Sequence, residues 1–161
     1  MHKPVAMVLG IAGLLAFGVP LAAAELVPNR SIAGIELRIT RAEVIDVVGE
    51  PDAERVRDAE IFGRQRVMRY GKTKVYFAGK RPESEVVSIR TRDKGERTSE
   101  GIGIGSRKRA IKRSVPGVRC KREFGFHHCF KGRFRPGKRI TDFLLDDRTR
   151  AKQIVVGIVI D

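Results

Sequence analysis

Two cysteines and two histidines lie close together and are the first candidates for chemistry. Cys120 and Cys129 are nine positions apart, and His127 and His128 directly precede the second cysteine. In an oxidising compartment this spacing favours a disulfide between adjacent strands, worth roughly 2 to 3 kcal/mol of stability. A metal site is the alternative, but consecutive strand residues point to opposite faces, which separates the two histidines. The sequence predicts the disulfide, with no metal and no cofactor.

A glycine-rich turn that leads into basic residues is the second candidate. Ser106 has the position of a helix N-cap, and Gly117 ends the helix. Cations in a first helical turn are disfavoured by about 0.3 to 1 kcal/mol each, and a bound phosphate or carboxylate reverses that sign. An anion-binding site is therefore a hypothesis here, with solvated cations as the alternative. Its candidate residues are Gly103, Gly105, Ser106, Arg107, Lys108, Arg109, Lys112 and Arg113.

The polar residues do not assemble a catalytic motif. Apart from His127 and His128, no histidine follows the apolar N-terminal run, and neither a nucleophile elbow nor a zinc-hydrolase motif accompanies this pair. Asp146 and Asp147 precede Arg148, which is typical of a solvated turn. The sequence therefore predicts a protein that is not an enzyme.

Residues 1–24 have the pattern of a secretory signal peptide. Lys3 gives a positive start, residues 5–19 are apolar, and residues 22–24 are alanines that fit the small-residue cleavage rule. The apolar run is shorter than the ~20 residues that span a bilayer, although a retained anchor is the alternative. We expect a secreted or extracytoplasmic protein, cleaved near Ala24, with no transmembrane span afterwards and no cysteine placed for bacterial lipid attachment.

Two helix starts at matching places indicate an internal repeat. Thr40 and Glu43 form a capping-box motif ahead of a short helix that ends at Gly49, and Ser106 lies 66 residues after Thr40. Alternating apolar and polar runs follow each helix. The predicted fold class is α+β, with two tandem copies of a short-helix plus antiparallel-sheet unit and the helices packed on one face of a shared sheet. The predicted units are 25–97 and 98–161.

The alternating runs also place individual strands. After an extended lead-in at 31–39, strands are predicted at 64–70, 73–77, 86–91, 140–145 and 153–160, while 53–61 stays ambiguous between strand and loop. Hairpin turns are expected at 71–72 and 146–148. The last run is apolar on both faces, which predicts a central strand.

A family resemblance rests on the first unit. The residues that carry it are Gly34, Ile35, Thr40, Glu43, Val44, Gly49 and Pro51, and a meander of strands is predicted after them. This pattern resembles the outer-membrane assembly lipoproteins of the small protein A type, and its duplicated form resembles β-lactamase inhibitory protein. The resemblance implies one concave sheet with helices on its back. This chain differs in having neither a lipidated cysteine nor a tryptophan.

Charge is unevenly distributed along the chain. The net charge is +14, and residues 25–100 hold 16 basic and 14 acidic residues, against 16 and 5 in residues 101–161. Between Arg107 and Arg139 there are 13 basic residues and one acid, Glu123. A surface that faces a polyanion is therefore a hypothesis, with a solvated basic face as the alternative.

Two function classes follow. The first is a binding module whose sheet face and basic second unit engage an acidic protein or envelope partner; the second is an envelope-associated structural protein held by cell-wall polymer or anionic lipid. A nucleic-acid partner is not favoured, because no dedicated recognition motif is present. The predicted partner-binding residues are Tyr70, Tyr76, Phe126, Arg133 and Arg135, and Phe77, Phe124 and Phe143 are further aromatic candidates.

Overall fold

One antiparallel sheet accounts for most of the fold. The structure is a computed structural model that describes residues 25–123 and 125–160. The signal peptide predicted for residues 1–24 lies outside the described residues. Within those ranges, no helix combines the length and the apolar character needed to cross a membrane.

The N-terminal residues form a small sheet and the first helix. Strands β1 (Leu26–Val27), β2 (Ser31–Ile32) and β3 (Ile35–Glu36) pair in that order, where the sequence predicted one extended lead-in. Helix α1 (Arg41–Val48) follows. The Thr40 side chain accepts from the Glu43 amide, and the Thr40 N–H donates to the Glu43 carboxylate at 2.7 Å. The predicted capping box is confirmed.

Removing the Thr40 hydroxyl tests how much this cap stabilises the fold. We expect Thr40→Ala to lower the free energy of unfolding by about 1 kcal/mol, because the Glu43 amide loses its acceptor. Urea denaturation measures the change. Thr40→Ser keeps the oxygen and is the matched control, so equal losses in both variants would contradict a capping role.

Two meanders join to make an eight-stranded sheet. The first contains β4 (Ala53–Ala59), β5 (Gly63–Tyr70), β6 (Thr73–Phe77) and β7 (Val86–Thr91). Helix α2 (Lys108–Ser114) precedes the second, which contains β8 (Arg119–Glu123), β9 (Phe126–Gly132), β10 (Arg139–Leu145) and β11 (Ala151–Ile158). The strand order is β4-β5-β6-β7-β11-β10-β9-β8, so β11 is central, as its apolar pattern predicts. The two predicted hairpin turns are confirmed by the β5–β6 and β10–β11 pairings.

The predicted fold class is wrong. The protein is mostly β, with the eight-stranded sheet and a separate three-stranded sheet, rather than a tandem repeat of helix-on-sheet α+β units. The helices have only 8 and 7 residues, and each contributes a single fully buried side chain, Val44 or Ile111. Apolar burial by the strands therefore provides most of the core. The boundary at residues 97 and 98 stays a prediction.

All of these elements pack around one apolar core. It lies on the face of the large sheet that carries both helices and the small sheet. Strand alternation sends every second side chain into this core and leaves the others on the opposite face, which we call the open face. Core members with no exposure include Ile32, Val44, Met68, Val75, Phe77, Ile89, Ile111, Phe143, Ile154 and Val156.

Glu96 places a carboxylate in this interior, between β7 and α2. Its side chain is 6% exposed. Burial and then the nearby Asp93 carboxylate raise the pKa of Glu96 above its usual 4.5, against a hydrogen bond with the Ala33 backbone. The folded state therefore binds the proton of the Glu96 carboxyl more tightly than the unfolded state does. As a consequence, the contribution of Glu96 to the free energy of unfolding decreases as pH rises from 4.5 through the raised pKa.

We expect Glu96→Gln to remove that pH dependence. The difference in unfolding free energy between Glu96→Gln and the native chain should grow in favour of the variant as pH rises from acid to neutral. Urea denaturation at several pH values measures it. Exposed Glu100, whose pKa is lowered by a hydrogen bond from its own amide, is the control, because Glu100→Gln should give a change of opposite sign. Parallel curves for the native chain and Glu96→Gln would contradict the assignment.

Candidate binding face

Strand register brings basic side chains of the first meander together on the open face. Arg57 lies opposite Gln65, Val67 lies opposite Tyr76, and Lys74 lies opposite Arg90. Neighbouring positions on the same strands, such as Met68 and Val75, point into the core. We call the exposed cations and the tyrosine between them the basic sheet face. Its members are Arg55, Arg57, Arg69, Lys74, Tyr76, Arg90 and Arg92.

Tyr76 is the centre of the basic sheet face. Its side chain is only 6% exposed. The Arg57 guanidinium carbon lies 5.0 Å from the ring centroid and that of Arg90 lies 4.6 Å away, so both cations interact with the ring. Arg57 reaches the ring from the β4 side and Arg90 from the β7 side. The ring therefore holds two like charges near each other.

Two acidic residues at the start of the first meander are directed away from the basic sheet face. Glu54 points to the helix-bearing face, where it pairs with Arg41 at 2.9 Å and with Arg66. Asp52 accepts a hydrogen bond from the Gly71 amide at 2.6 Å. Across residues 25–123 and 125–160, none of the six cations of the basic sheet face forms a salt bridge. Their positive potential is therefore not cancelled locally and is available to an anionic ligand.

Two connected depressions follow these cations. The larger has a volume of about 580 Å³ and is lined by Lys74, Arg90 and Arg92, with Gln153 from β11. Arg92 donates to the Gln153 side-chain oxygen at 3.0 Å. The smaller, of about 150 Å³, is lined by the open-face residues of β4 and β5. Tyr76 and Lys74 line both, so the two depressions adjoin each other on the basic sheet face.

The second meander carries an aromatic cluster on the same open face. His128 is 3% exposed and packs against three phenylalanines, with ring centroids 5.4 Å from Phe126, 5.2 Å from Phe130 and 6.1 Å from Phe134. Phe126 and Phe134 are 37% and 47% exposed. Apolar surface therefore reaches solvent at this end of the sheet, beyond the basic sheet face.

A histidine–aspartate pair supports that cluster. His128 Nδ1 lies 3.0 Å from Asp142 Oδ1, and its Nε2 lies 3.7 Å from Glu123 Oε2. Burial raises the pKa of Asp142, while the hydrogen bond with His128 and the charges of His128 and Lys121 oppose that shift. The pair fixes the His128 ring, and its contacts are to aromatic and charged side chains. His127 points to the opposite face from His128, as strand alternation predicts.

The structure divides the predicted partner-binding residues between the two faces. Tyr76 and Phe126 lie on the open face, and Arg133 and Arg135 are exposed in the loop after β9. Tyr70 does not lie on the open face, because its position in β5 directs its side chain to the helix-bearing face.

The other aromatic candidates do not line the open face. The Tyr70 hydroxyl donates to the Gly49 carbonyl at 3.0 Å, and burial raises its pKa. The candidates Phe77 and Phe143 are fully buried in the core, so neither is an exposed aromatic residue of a binding face. Phe124 lies outside the described residues.

The predicted anion site keeps its basic side chains, while the amides of its two glycines are hydrogen-bonded within the protein. The N-cap of α2 is Arg107, without a side-chain hydrogen bond, so the prediction that Ser106 caps the helix is wrong. The Ser106 hydroxyl instead accepts from the Gly103 amide at 3.0 Å, and the Gly105 amide donates to the Ala151 carbonyl. The basic side chains of this segment are exposed or half-exposed. Those of Lys108, Arg109, Lys112 and Arg113 line an open depression of about 550 Å³.

The predicted disulfide is confirmed. Cys120 on β8 and Cys129 on β9 lie directly opposite each other and are bonded. The bond ties an edge strand to the sheet, since among residues 25–123 and 125–160 β8 pairs only with β9. A disulfide in this position fits an extracytoplasmic protein.

The charge pattern along the chain predicts a basic surface in residues 101–161 and gives no sign of the basic sheet face. The excess of basic residues in 101–161 is distributed over α2, β8 and the loop after β9, whereas the nearly balanced first half supplies the basic sheet face. Separating the residues of each strand into its two faces reveals the basic sheet face in the sequence. In 53–59, the odd positions are Ala, Arg, Arg and Ala, and the even positions are Glu, Val and Asp.

Comparison with known proteins leaves the family open. No family model and no curated protein matches the chain. An extracellular protein containing a SCP domain from Bacillus anthracis is similar with a TM-score of 0.49 and 10% identity over 76% of this chain and 44% of that protein, less than half of its length. A DUF4309 family protein (YjgB) from Bacillus subtilis gives a TM-score of 0.42 and 15% identity over 74% and 78%. At these TM-scores neither likeness assigns a fold or a function, and the resemblance to β-lactamase inhibitory protein stays a prediction.

Proposed function

We propose that this chain is an exported, non-catalytic binding module that holds an acidic segment of a partner protein against its basic sheet face. In this proposal the signal peptide is removed near Ala24 and the remaining chain works outside the cytoplasm. The single observation that carries the proposal is the arrangement of Arg57 and Arg90 over the buried Tyr76 ring, among six cations without a salt bridge of their own.

The chemistry of these groups favours carboxylates on an extended ligand. A guanidinium donates two parallel hydrogen bonds to a carboxylate, and arginine and tyrosine are enriched where interfaces gain most of their energy. Neighbouring strands lie about 4.8 Å apart, so the cations from β4 to β7 extend over about 14 Å. Such a row matches several charges along a peptide better than one isolated anion.

The alternative function is retention on an anionic polymer or lipid by non-specific charge. The depression beside α2 favours it, because four exposed or half-exposed cations line that surface away from the basic sheet face. In that case binding would depend on total charge rather than on the position of any one arginine.

Titration with a short glutamate-rich peptide tests the proposal. We expect saturable one-to-one binding by calorimetry, weakened about tenfold between 0.01 M and 0.15 M salt as the Debye length falls from about 30 to about 8 Å. Phosphatidylglycerol vesicles and a teichoic-acid polymer are the comparison ligands. Absence of peptide binding, together with strong binding to either comparison ligand, would contradict the proposal and favour the alternative.

A further inference from the structure

An apolar groove continues the basic sheet face at one end of the sheet. Its volume is about 360 Å³, and it lies between the tip of the β4–β5 hairpin and the end of β11. Ile61 and Phe62 line it from the hairpin beside the carboxylate of Glu60, and Ile140, Val155 and Gly157 line it from the sheet. Ile61 is 57% exposed, so this groove presents apolar surface to solvent.

The groove and the basic depressions share residues. Tyr76 and Arg90 line both the groove and the larger basic depression, so a ligand on the cations directly adjoins the apolar surface. We infer that the groove receives an apolar side chain from the same acidic segment that the basic sheet face holds. This inference rests on the proposed function and adds a requirement to it. The ligand is then an acidic peptide with one apolar anchor residue.

Charge complementarity and size favour a peptide as the occupant. The cations form an extended row over about 14 Å, which matches successive carboxylates of a peptide rather than one lipid headgroup. A volume of about 360 Å³ is at the small end for ligand pockets, and it suits an amino-acid side chain. Burying that side chain would anchor a segment whose exposed charges alone bind weakly.

A larger side chain at Gly157 would fill part of the groove and so test its role. A Cβ atom built there would lie 3.4 Å from the Val87 carbonyl oxygen and 3.5 Å from the Ser88 hydroxyl, which are ordinary contacts. Its backbone conformation is open to other residues, and valine is favoured in strands. Gly157→Val should therefore fold and occupy part of the groove. Gly157→Ala is the matched control, because it adds only the Cβ atom.

The experiment uses two glutamate-rich peptides of equal charge that differ at one central residue, leucine or alanine. For the native chain we expect the leucine peptide to bind about tenfold more tightly, because the groove buries apolar surface. Gly157→Val should reduce this ratio to about one, whereas Gly157→Ala should keep most of it. Thermal unfolding verifies that each variant folds, and Ile61→Ser at the exposed hairpin tip is a second variant with the same expected loss of preference.

The outcomes separate this inference from the proposed function. Equal affinity of the native chain for both peptides would overturn the apolar anchor and leave the acidic-ligand proposal standing. A leucine preference that persists in both Gly157→Val and Ile61→Ser would place the anchor elsewhere and also overturn it. If neither peptide binds, the proposed function itself fails. Binding of phosphatidylglycerol vesicles that Gly157→Val abolishes, without peptide binding, would assign the groove to lipid instead.

Discussion

Reversing Arg57 and Arg90 to glutamate is expected to weaken binding of a glutamate-rich peptide by about a hundredfold. Each reversal replaces an attraction with a repulsion, and a loss of about 1.4 kcal/mol for each position is a tenfold change in affinity. The two guanidiniums lie 5.0 Å and 4.6 Å from the Tyr76 ring centroid, so both act at the same point of the sheet. Calorimetric titration at a fixed salt concentration measures the effect.

A second double reversal supplies the matched control. Arg109 and Arg113 are exposed on α2, and reversing both to glutamate changes the net charge by the same amount. We expect the α2 variant to lose less than about threefold in affinity, through long-range electrostatics alone. Equal losses in both variants would mean that total charge controls binding and would favour the polyanion alternative. Thermal unfolding of both variants confirms that the comparison concerns folded protein.

Replacing both cysteines by alanine is expected to lower the free energy of unfolding by about 2 to 3 kcal/mol. Cys120 and Cys129 close a short loop, and the chain-entropy account gives this amount for such a separation. The edge strand β8 pairs with β9 alone, so amide exchange should accelerate most in residues 119–123. Urea denaturation and hydrogen exchange measure the two effects.

Reduction of the native protein serves as the control for this substitution. Treatment with a reductant should reproduce the loss of stability, whereas it should leave Cys120→Ala/Cys129→Ala unchanged. A loss below about 1 kcal/mol in both cases would show that β8 is held by its pairing and packing rather than by the covalent bond. The aromatic cluster next to β8 would then be the first place to look for that support.

The sequence predicted the caps and turns correctly, because these features depend on residues that are close together in the chain. The Thr40–Glu43 capping box, the turn after Tyr70 and the Asp146 turn depend on side chains a few residues apart, and each is present in the structure. The fold class was wrong because two helix starts suggested helices as major layers. At 8 and 7 residues, these helices cover only part of a sheet whose strands supply most of the core.

The candidate site was predictable only in part because it depends on strand register. In the sequence, Tyr70 and Tyr76 are equally good candidates for a binding face. In the structure, Tyr70 donates a hydrogen bond to the residue that ends α1, whereas Tyr76 lies under two arginines. Which face each tyrosine occupies follows from its position in its strand and from the strand it pairs with. Charge totals over halves of the chain concealed the basic sheet face, since Glu54 lies on the opposite face from Arg55 and Arg57.

Chemical-shift mapping with a glutamate-rich peptide tests the central claim most directly. The measurement is a ¹⁵N-labelled titration of the chain from Glu25 onward, at low salt. Our account predicts that the largest amide shifts fall on β4, β6 and β7 around Arg57, Tyr76 and Arg90. Shifts confined to α2, or to the loop that holds Arg133 and Arg135, would contradict the assignment of the binding site to the basic sheet face.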